Sequence, residues 1–432
     1  MNIFLPLLYR FFQFFIAVTF KIYFRRIVFI HPERLKSEGP LLVLSNHPNA
    51  LMDPFMALYR VKKQCFLLAN YTLFKNPILN AVLSTLWCIP IQRPKDVDGQ
   101  IVKNDEAFKK CDEHLLRGGS IYIAPEGTSY NERHIRDLKT GTARIAFSAE
   151  EKTDFKLDLR IMPIGITYDA PLKFRSNVVV EIGELLTVDD WQDAYKTDSR
   201  KAIQDFTQHL ENSLINVVVH CKDAEEDAFL KKLDTLKQSE NALNTEGVYY
   251  RSKELLRKIN AWEKADLVGF QKFKSEVENY FETLNSYKIN DLNINKNQSS
   301  NILTLILSLP VFVFGFVNNI IPAWLSNALV GRVTSDKTYD TTVRYCAGLI
   351  LFPIFWGIQT KILYGFFSPD FPWWIYYLSL MPTGLVAWWS YTEGGNYLKN
   401  LKYKKLDSDG KLSETRLLIL EKMQGDIAPK EI

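Results

Sequence analysis

Three apolar runs crowd the last third of the chain, at 302–321 ("ILTLILSLPVFVFGFVNNII"), about 345–367 and 371–390. Each is near the ~20 residues a helix needs to cross the hydrocarbon of a bilayer. Singly, any one of them would suit a buried helix of a soluble protein. Three together favour membrane segments over 301–392. Trp373, Trp374, Tyr376, Tyr377, Trp388 and Trp389 sit toward segment ends, where amphipathic rings meet the membrane–water boundary. Arg332, Lys337 and Arg344 lie between the first two segments, and Lys399, Lys402, Lys404 and Lys405 follow the third. If positive residues stay inside, both groups are cytosolic and the first segment turns back near Pro310. Three plain spans fit the hydropathy equally well.

The N-terminus, "MNIFLPLLYRFFQFFIAVTFKIYFRR", is apolar but interrupted by Arg10. It has no basic start and no A-x-A-like cleavage site, so a secretory signal is not expected. Its aromatic content and the following Lys21, Arg25 and Arg26 favour a membrane-interfacial helix over 1–27. A buried helix is the alternative.

Between these ends, from Val28 to Thr187, short apolar runs alternate with helical patterns. "LLVLS", "FLLA", "IPIQR", "SIYIAPEG", "RIMPIGITY" and "VVVEIGE" read as strands. "DPFMALYRVK", "NPILNAVLSTLW", "KNDEAFKKCDEHLLRGG" and "GTARIAFSAEEK" read as helices. That alternation predicts an α/β domain over 28–187, with a mixed, largely parallel sheet flanked by helices. Residues 188–300 carry helical periodicity with dense mixed charge and end in the polar linker "NDLNINKNQSSN". A polar tail occupies 393–432.

Five cysteines (Cys65, Cys88, Cys111, Cys221, Cys346) are scattered without a C-x-x-C, which indicates free thiols in a reducing compartment. The net charge of +4 is too small to suggest nucleic acid and suits contact with anionic lipid. His31, His114, His134, His209 and His220 have no metal-ligand spacing, and His134 is expected at the surface. No metal or other cofactor is expected.

Chemistry concentrates in "LLVLSNHPNALMDPFMAL". A strand runs into His47, Pro48 suits the first position of a helix, and Asp53 follows where its carboxylate can hold the other ring nitrogen. Such a pair makes histidine a better general base. There is no G-x-S-x-G element, so the expected nucleophile is a substrate hydroxyl. In "YIAPEGTSYNERHIRDLKTG" a strand ends before Glu126, Gly127, Thr128 and Ser129, a tight loop able to bind phosphate or position an acceptor. Lys139 and Gly141 precede a helix whose N-terminus favours anions. Arg93 leaves "CIPIQRPKD" with a geometry suited to phosphate. Pro163 in "RIMPIGITY" is a candidate wall for an acyl chain.

In order and spacing these pieces resemble the glycerolipid acyltransferase family, the lysophosphatidate acyltransferase-like (PlsC-type) enzymes, over roughly residues 28–187. The resemblance implies that His47 is the base for an acceptor hydroxyl attacking an acyl thioester and that Asp53 is its partner. It implies that Arg93, Glu126, Gly127 and Thr128 bind the phosphate-bearing acceptor. Two departures stand out. The common pattern has four residues between histidine and aspartate, whereas five lie between His47 and Asp53. In a regular helix the extra residue rotates Asp53 by about 100°, so the turn must absorb it. The longer spacing and the helical, apolar tail resemble the glycerol-3-phosphate/dihydroxyacetone-phosphate acyltransferase subgroup. The family loop also reads E-G-T-R-S, and here Ser129 stands where the arginine would be; Arg133, Arg136 or Lys139 are the candidate replacements.

The resemblance thus implies a membrane-bound O-acyltransferase taking acyl-CoA or acyl-carrier-protein as donor and glycerol-3-phosphate or dihydroxyacetone phosphate as acceptor. Lysophosphatidate is the alternative acceptor. The active site is expected to face the cytosol, at a bacterial inner membrane or the endoplasmic reticulum. From other classes, a non-catalytic membrane scaffold and an acyl-CoA hydrolase remain open.

Overall fold

Seven strands form one sheet in the order β1-β7-β6-β2-β5-β3-β4 in the computed structural model. The structure describes residues 4–85, 87–93, 96, 103–240, 244–293, 302–367 and 370–425. The strands are β1 (Arg26–Ile30), β2 (Leu41–Ser45), β3 (Cys65–Asn70), β4 (Cys88–Ile91), β5 (Ser120–Ile123), β6 (Arg160–Tyr168) and β7 (Asn177–Ile182). β6, β2, β5, β3 and β4 are mutually parallel, while β7 runs antiparallel to β6 and carries β1 parallel to itself. The sheet is therefore mixed and largely parallel, as the alternating runs predict. It begins at Arg26, because "RIVFI" pairs along β7 from Arg26↔Asn177 to Ile30↔Glu181.

The chain divides into two compact units, Met1–Ala224 and Glu225–Ile432. In the first, α2 (Met52–Leu58), α3 (Pro77–Thr85), α4 (Asp105–Leu116) and α5 (Gly141–Glu151) follow the expected helical patterns, after α1 (Phe4–Tyr23). α6 (Gln192–Thr197) and α7 (Ser199–Asn216) complete the unit. Every residue of β2 is buried, as befits a central strand covered on both faces. α7 starts where the Asp198 side chain accepts from the Lys201 N–H, a standard N-cap. It buries Ala202, Phe206, Leu210 and Leu214, a stripe of one helical face, in the core with Phe147 and Leu42.

α1 is two-faced. Tyr9, Phe20 and Tyr23 are buried, while Leu7, Phe11, Phe14, Phe15 and Val18 form an exposed apolar stripe. Gln13 donates to the Leu58 and Val61 carbonyls at 3.0 and 2.7 Å, satisfying acceptors at the end of α2.

The second unit is helical: α8 (Ala224–Glu240), α9 (Thr245–Ala265), α10 (Leu267–Ser286), α11 (Ile302–Leu329), α12 (Asp340–Phe366), α13 (Trp373–Leu406) and α14 (Lys411–Gly425). Among the described residues two stretches, Ile302–Leu329 and Lys337–Phe366, are long and apolar enough to cross a membrane. α11 continues through Pro310 and Pro322, so no return occurs at Pro310. It pairs antiparallel with α13. Ser308 meets Ser390 at 3.0 Å, Asn319 donates to the Leu380 carbonyl at 3.0 Å, and Asn318 accepts from the Tyr376 hydroxyl at 2.7 Å. A Cβ on Gly315 would lie 2.1 Å from the Thr383 carbonyl, so only glycine permits this approach. Asn319 also accepts from the Trp356 indole of α12 at 2.9 Å. Residues 294–301 of the expected polar linker, and residues 368–369 between the second and third apolar runs, lie outside the described residues.

Close backbone approach also governs the first unit. A Cβ on Gly165 of β6 would stand 1.8 Å from the Val217 carbonyl, where the chain leaving α7 crosses the sheet. Gly183 is less tight, with nearest approaches of 3.2 Å. Gly165→Ala should therefore destabilise by about 3 kcal/mol or more and Gly183→Ala by about 1 kcal/mol. Thermal melting of the two variants in detergent tests that order.

Candidate active site

The carboxyl ends of the parallel strands gather the sequence-predicted residues, where ligands of open α/β sheets bind. His47 follows β2, Glu126 follows β5, and Arg93 follows β4. Since β2 and β5 are central neighbours, the candidate site lies over the middle of the sheet.

The turn after β2 is not helical at first. α2 begins at Met52, so Pro48 is not its first residue. Residues 48–51 instead fold into overlapping turns, with Met52 N–H donating to Asn49 and Asp53 N–H to Ala50. Ala50 takes φ 39°, a left-handed value costly for a residue with a Cβ. This irregular turn absorbs the fifth intervening residue. It lets His47 Nδ1 reach the Asp53 carboxylate at 3.0 Å.

Asp53 is completely buried, and its carboxylate also accepts from the Asn49 N–H at 2.6 Å and the Tyr168 hydroxyl at 2.8 Å. Burial pushes this carboxyl above its ordinary range, while His47, the Asn49 amide and Tyr168 pull it back down. With Nδ1 held by Asp53, Nε2 is the histidine nitrogen left to take a proton.

Glu126 was expected to bind an acceptor, but the structure gives its carboxylate a structural task. One oxygen accepts from the His47 N–H at 2.9 Å and the other from the Arg136 N–H at 3.2 Å. At 7% exposure it ties the histidine loop to its own loop. Burial raises its carboxyl, with those two amides opposing. A third tie comes from Tyr130, whose N–H donates to the His47 carbonyl at 3.2 Å. Gly127 turns the loop at φ 73° with its N–H on the Ala124 carbonyl, a conformation suited to glycine.

Arg93 reaches the same loop through Nη1 on the Gly127 carbonyl at 2.8 Å. Its Nε and Nη2 face is closed by Asp96, at 2.7 and 2.9 Å. The two parallel bonds expected for a phosphate are therefore made to Asp96. Thr128 and Ser129 are half-buried in the loop beyond Gly127. Exposed Lys139 joins it through its N–H on the Pro125 carbonyl at 2.9 Å, and Gly141 opens α5. Of the candidates to replace the missing arginine, Arg136 is held by Glu132 at 2.7 Å and lies over the Tyr130 ring. Pro163 is buried, paired with Leu44 and closed over by Gly183, so it walls no open surface.

Sequence reasoning missed Tyr168, Asn49, Asp96 and Asn46. Asn46 extends the β6 ladder by exchanging hydrogen bonds with the Ile166 main chain at 2.8 and 2.9 Å. Tyr168 carried one usable signal: it ends a strand parallel to β2. Burial pushes the Cys65 and Cys111 thiols up to about 12 and Cys88 up to about 11, which makes these three poor nucleophiles.

Residues 26–167 match the family described as Acyltransferase. Glycerol-3-phosphate O-acyltransferase 2 of Saccharomyces cerevisiae is 31% identical over 123 residues, which is 28% of this chain and 16% of that protein. The 1-acyl-sn-glycerol-3-phosphate acyltransferase of Borreliella burgdorferi is 25% identical over 158 residues, 37% of this chain and 57% of that protein. A solved structure, the 1-acyl-sn-glycerophosphate (LPA) acyltransferase PlsC from Thermotoga maritima, aligns over 48% of this chain and 76% of its own, at 18% identity and a TM-score of 0.34. The match thus spans only about a sixth of the yeast relative's length.

Glu126→Ala would leave the His47 and Arg136 amides without their acceptor, at a combined cost of about 2 kcal/mol. A melting temperature lowered by several degrees is expected, with Glu126→Gln, which keeps one carbonyl oxygen, falling between the variant and the native chain.

Proposed function

Residues 26–167 of this chain match the Acyltransferase family, and on that premise we propose that the chain is a membrane-bound glycerolipid O-acyltransferase. It would move an acyl group from a CoA or carrier-protein thioester to a hydroxyl of glycerol-3-phosphate or dihydroxyacetone phosphate. The observation that carries this reading is the 3.0 Å contact of His47 Nδ1 with the fully buried Asp53 carboxylate.

In the proposed step His47 Nε2 takes the acceptor hydroxyl proton as that oxygen attacks the thioester carbonyl. The C–O bond forms and an oxyanion develops. Its collapse breaks the C–S bond, and the proton passes from the imidazolium to the departing thiolate. Asp53 stabilises the imidazolium and stays ionised throughout. Arg93, Thr128, Ser129 and Lys139 are the groups proposed to meet the acceptor's phosphate, with Gly127 and Gly141 letting the backbone approach. For that, the phosphate must share or displace Asp96 on Arg93. Lysophosphatidate is the second acceptor considered, favoured by the longer match to the Borreliella enzyme.

We further propose that α11 crosses the membrane and that the apolar part of α13 returns beside it as its antiparallel partner, while α12, the other stretch long and apolar enough to span, packs on α11 without adding a third crossing. Arg332 and Lys337 then lie at one end of that pair and Lys399 to Lys405 at the other, since Ser308 pairs with Ser390 and Asn319 with Leu380. The larger lysine group favours the α13 C-terminal end as cytosolic. The free cysteines favour a reducing side for the catalytic unit.

Purified protein in detergent should release thiol from palmitoyl-CoA only when an acceptor is supplied, and His47→Ala should lower that rate by at least about 1,000-fold. Comparing glycerol-3-phosphate, dihydroxyacetone phosphate, lysophosphatidate and no acceptor names the substrate; release without acceptor would make the chain a hydrolase, and none at all a scaffold. Topology is checked with an impermeant maleimide on oriented vesicles. Cysteines placed at Ser335 and Lys404 should label from opposite faces, and labelling from one face would refute the two-helix crossing.

A further inference from the structure

We propose that Tyr168, the last residue of β6, is a positioning residue for acyl transfer: its phenol holds the Asp53 carboxylate ionised and facing His47. The proposal rests on the reading of His47 as the base. Tyr168 lies one residue beyond the segment that matches the family, and although it ends the motif "RIMPIGITY", nothing in the sequence points to a role for it.

The geometry is specific. Asp53 has no exposure, so bulk solvent does not reach its two oxygens. One oxygen takes both the Asn49 N–H and His47 Nδ1; the other takes the Tyr168 hydroxyl at 2.8 Å. Without Tyr168, that second oxygen would have no donor among the described contacts. The carboxylate could then hold a proton on it or swing away from the histidine, and either removes the charge that the imidazolium needs.

Tyr168 can serve because it stays protonated. It is buried, its ring is 5.9 Å from that of Phe24, and burial beside Asp53 raises its hydroxyl well above the ordinary phenol range. It therefore donates at every working pH. The titratable groups around the carboxylate are His47 from the turn after β2, Glu126 from the loop after β5, Tyr122 from β5 and Tyr168 from β6. Tyr23 of α1 faces Tyr168. Of these, His47 and Tyr168 reach Asp53 with side-chain hydrogen bonds, whereas the Tyr122 hydroxyl is taken by Ser45 at 2.7 Å.

The sign of the pH effect follows from linkage. A donor to the carboxylate favours the deprotonated His47–Asp53 pair, so its loss lets the pair keep a proton to higher pH. Tyr168→Phe keeps the ring and its packing and removes only the donor. It should lower kcat about 10- to 100-fold, leave KM for thioester and acceptor within about twofold, and move the acidic limb of the pH–rate profile up by about one unit. In an Asp53→Asn background the same change should cost less than about twofold, because the two groups act as one. A melting transition reports that each variant is folded.

His47→Ala runs beside them. If it abolishes transfer while Tyr168→Phe leaves rate and pH profile unmoved, the role of Tyr168 is overturned and the base stands. Full additivity of Tyr168→Phe with Asp53→Asn overturns it likewise. Should His47→Ala keep full activity, the base assignment fails and the positioning role fails with it. Should Tyr168→Phe not fold, Tyr168→His, which keeps a ring donor, decides the matter: a folded variant with the native acidic limb and less than a tenth of native kcat would overturn the proposal.

Discussion

A carboxylate with no exposure is the constraint around which the first unit is arranged. An unpaired charge in a low-dielectric interior costs many kcal/mol, so each lone pair must meet a donor or the group gives up its charge. Asp53 meets this demand from separate parts of the chain: a ring nitrogen from the turn after β2, an amide within that turn, and a phenol from the end of β6. The strained Ala50 backbone is the local cost of bringing the first two into range. Because those donors come from neighbouring parallel strands, sheet register fixes the histidine as much as its own turn does.

The same logic organises the loop after β5. Glu126 and Tyr130 hold the main chain of His47 from both sides, one accepting its N–H and the other donating to its carbonyl. Arg93 then braces the loop from β4 through the Gly127 carbonyl. Several residues that look like ligand-binding groups in the sequence thus act first as supports. Preorganisation of this kind is what a proposed base requires, since a histidine free to rotate would have to be ordered at each turnover.

The second unit solves a related problem among apolar helices. Where side chains are alike on every face, burial alone fixes no rotation or register. Asn318 and Asn319 provide it, each bonding a specific partner on α12 or α13. Gly315 lets the two backbones approach closely, and Gly384 leaves the room that the Asn319 amide occupies. Polar side chains inside an apolar bundle therefore specify which helix faces which, and they fix α11 and α13 as antiparallel.

Much of this was legible in the sequence. Alternating apolar runs indicated an α/β sheet with its strands and helices in the order found, because strand period and helix period are local properties of the chain, and the family resemblance implied one site for His47, Asp53, Arg93 and Glu126. The strand at Arg26–Ile30 escaped because its basic start blends with the residues before it. Glu126 and Arg93 were legible as site residues but not as supports, since their partners, the His47 amide and Asp96, are set by the approach of separate loops. The partners of Tyr168 and Asn319 were not legible for the same reason: a tyrosine ending a strand or an asparagine in an apolar helix has no local signature of what it bonds. The sequence by itself determined which groups could do chemistry and which segments could be strands or helices. Only the tertiary structure decided which of those groups face one another, because a hydrogen bond between residues 115 positions apart depends on sheet register and not on spacing.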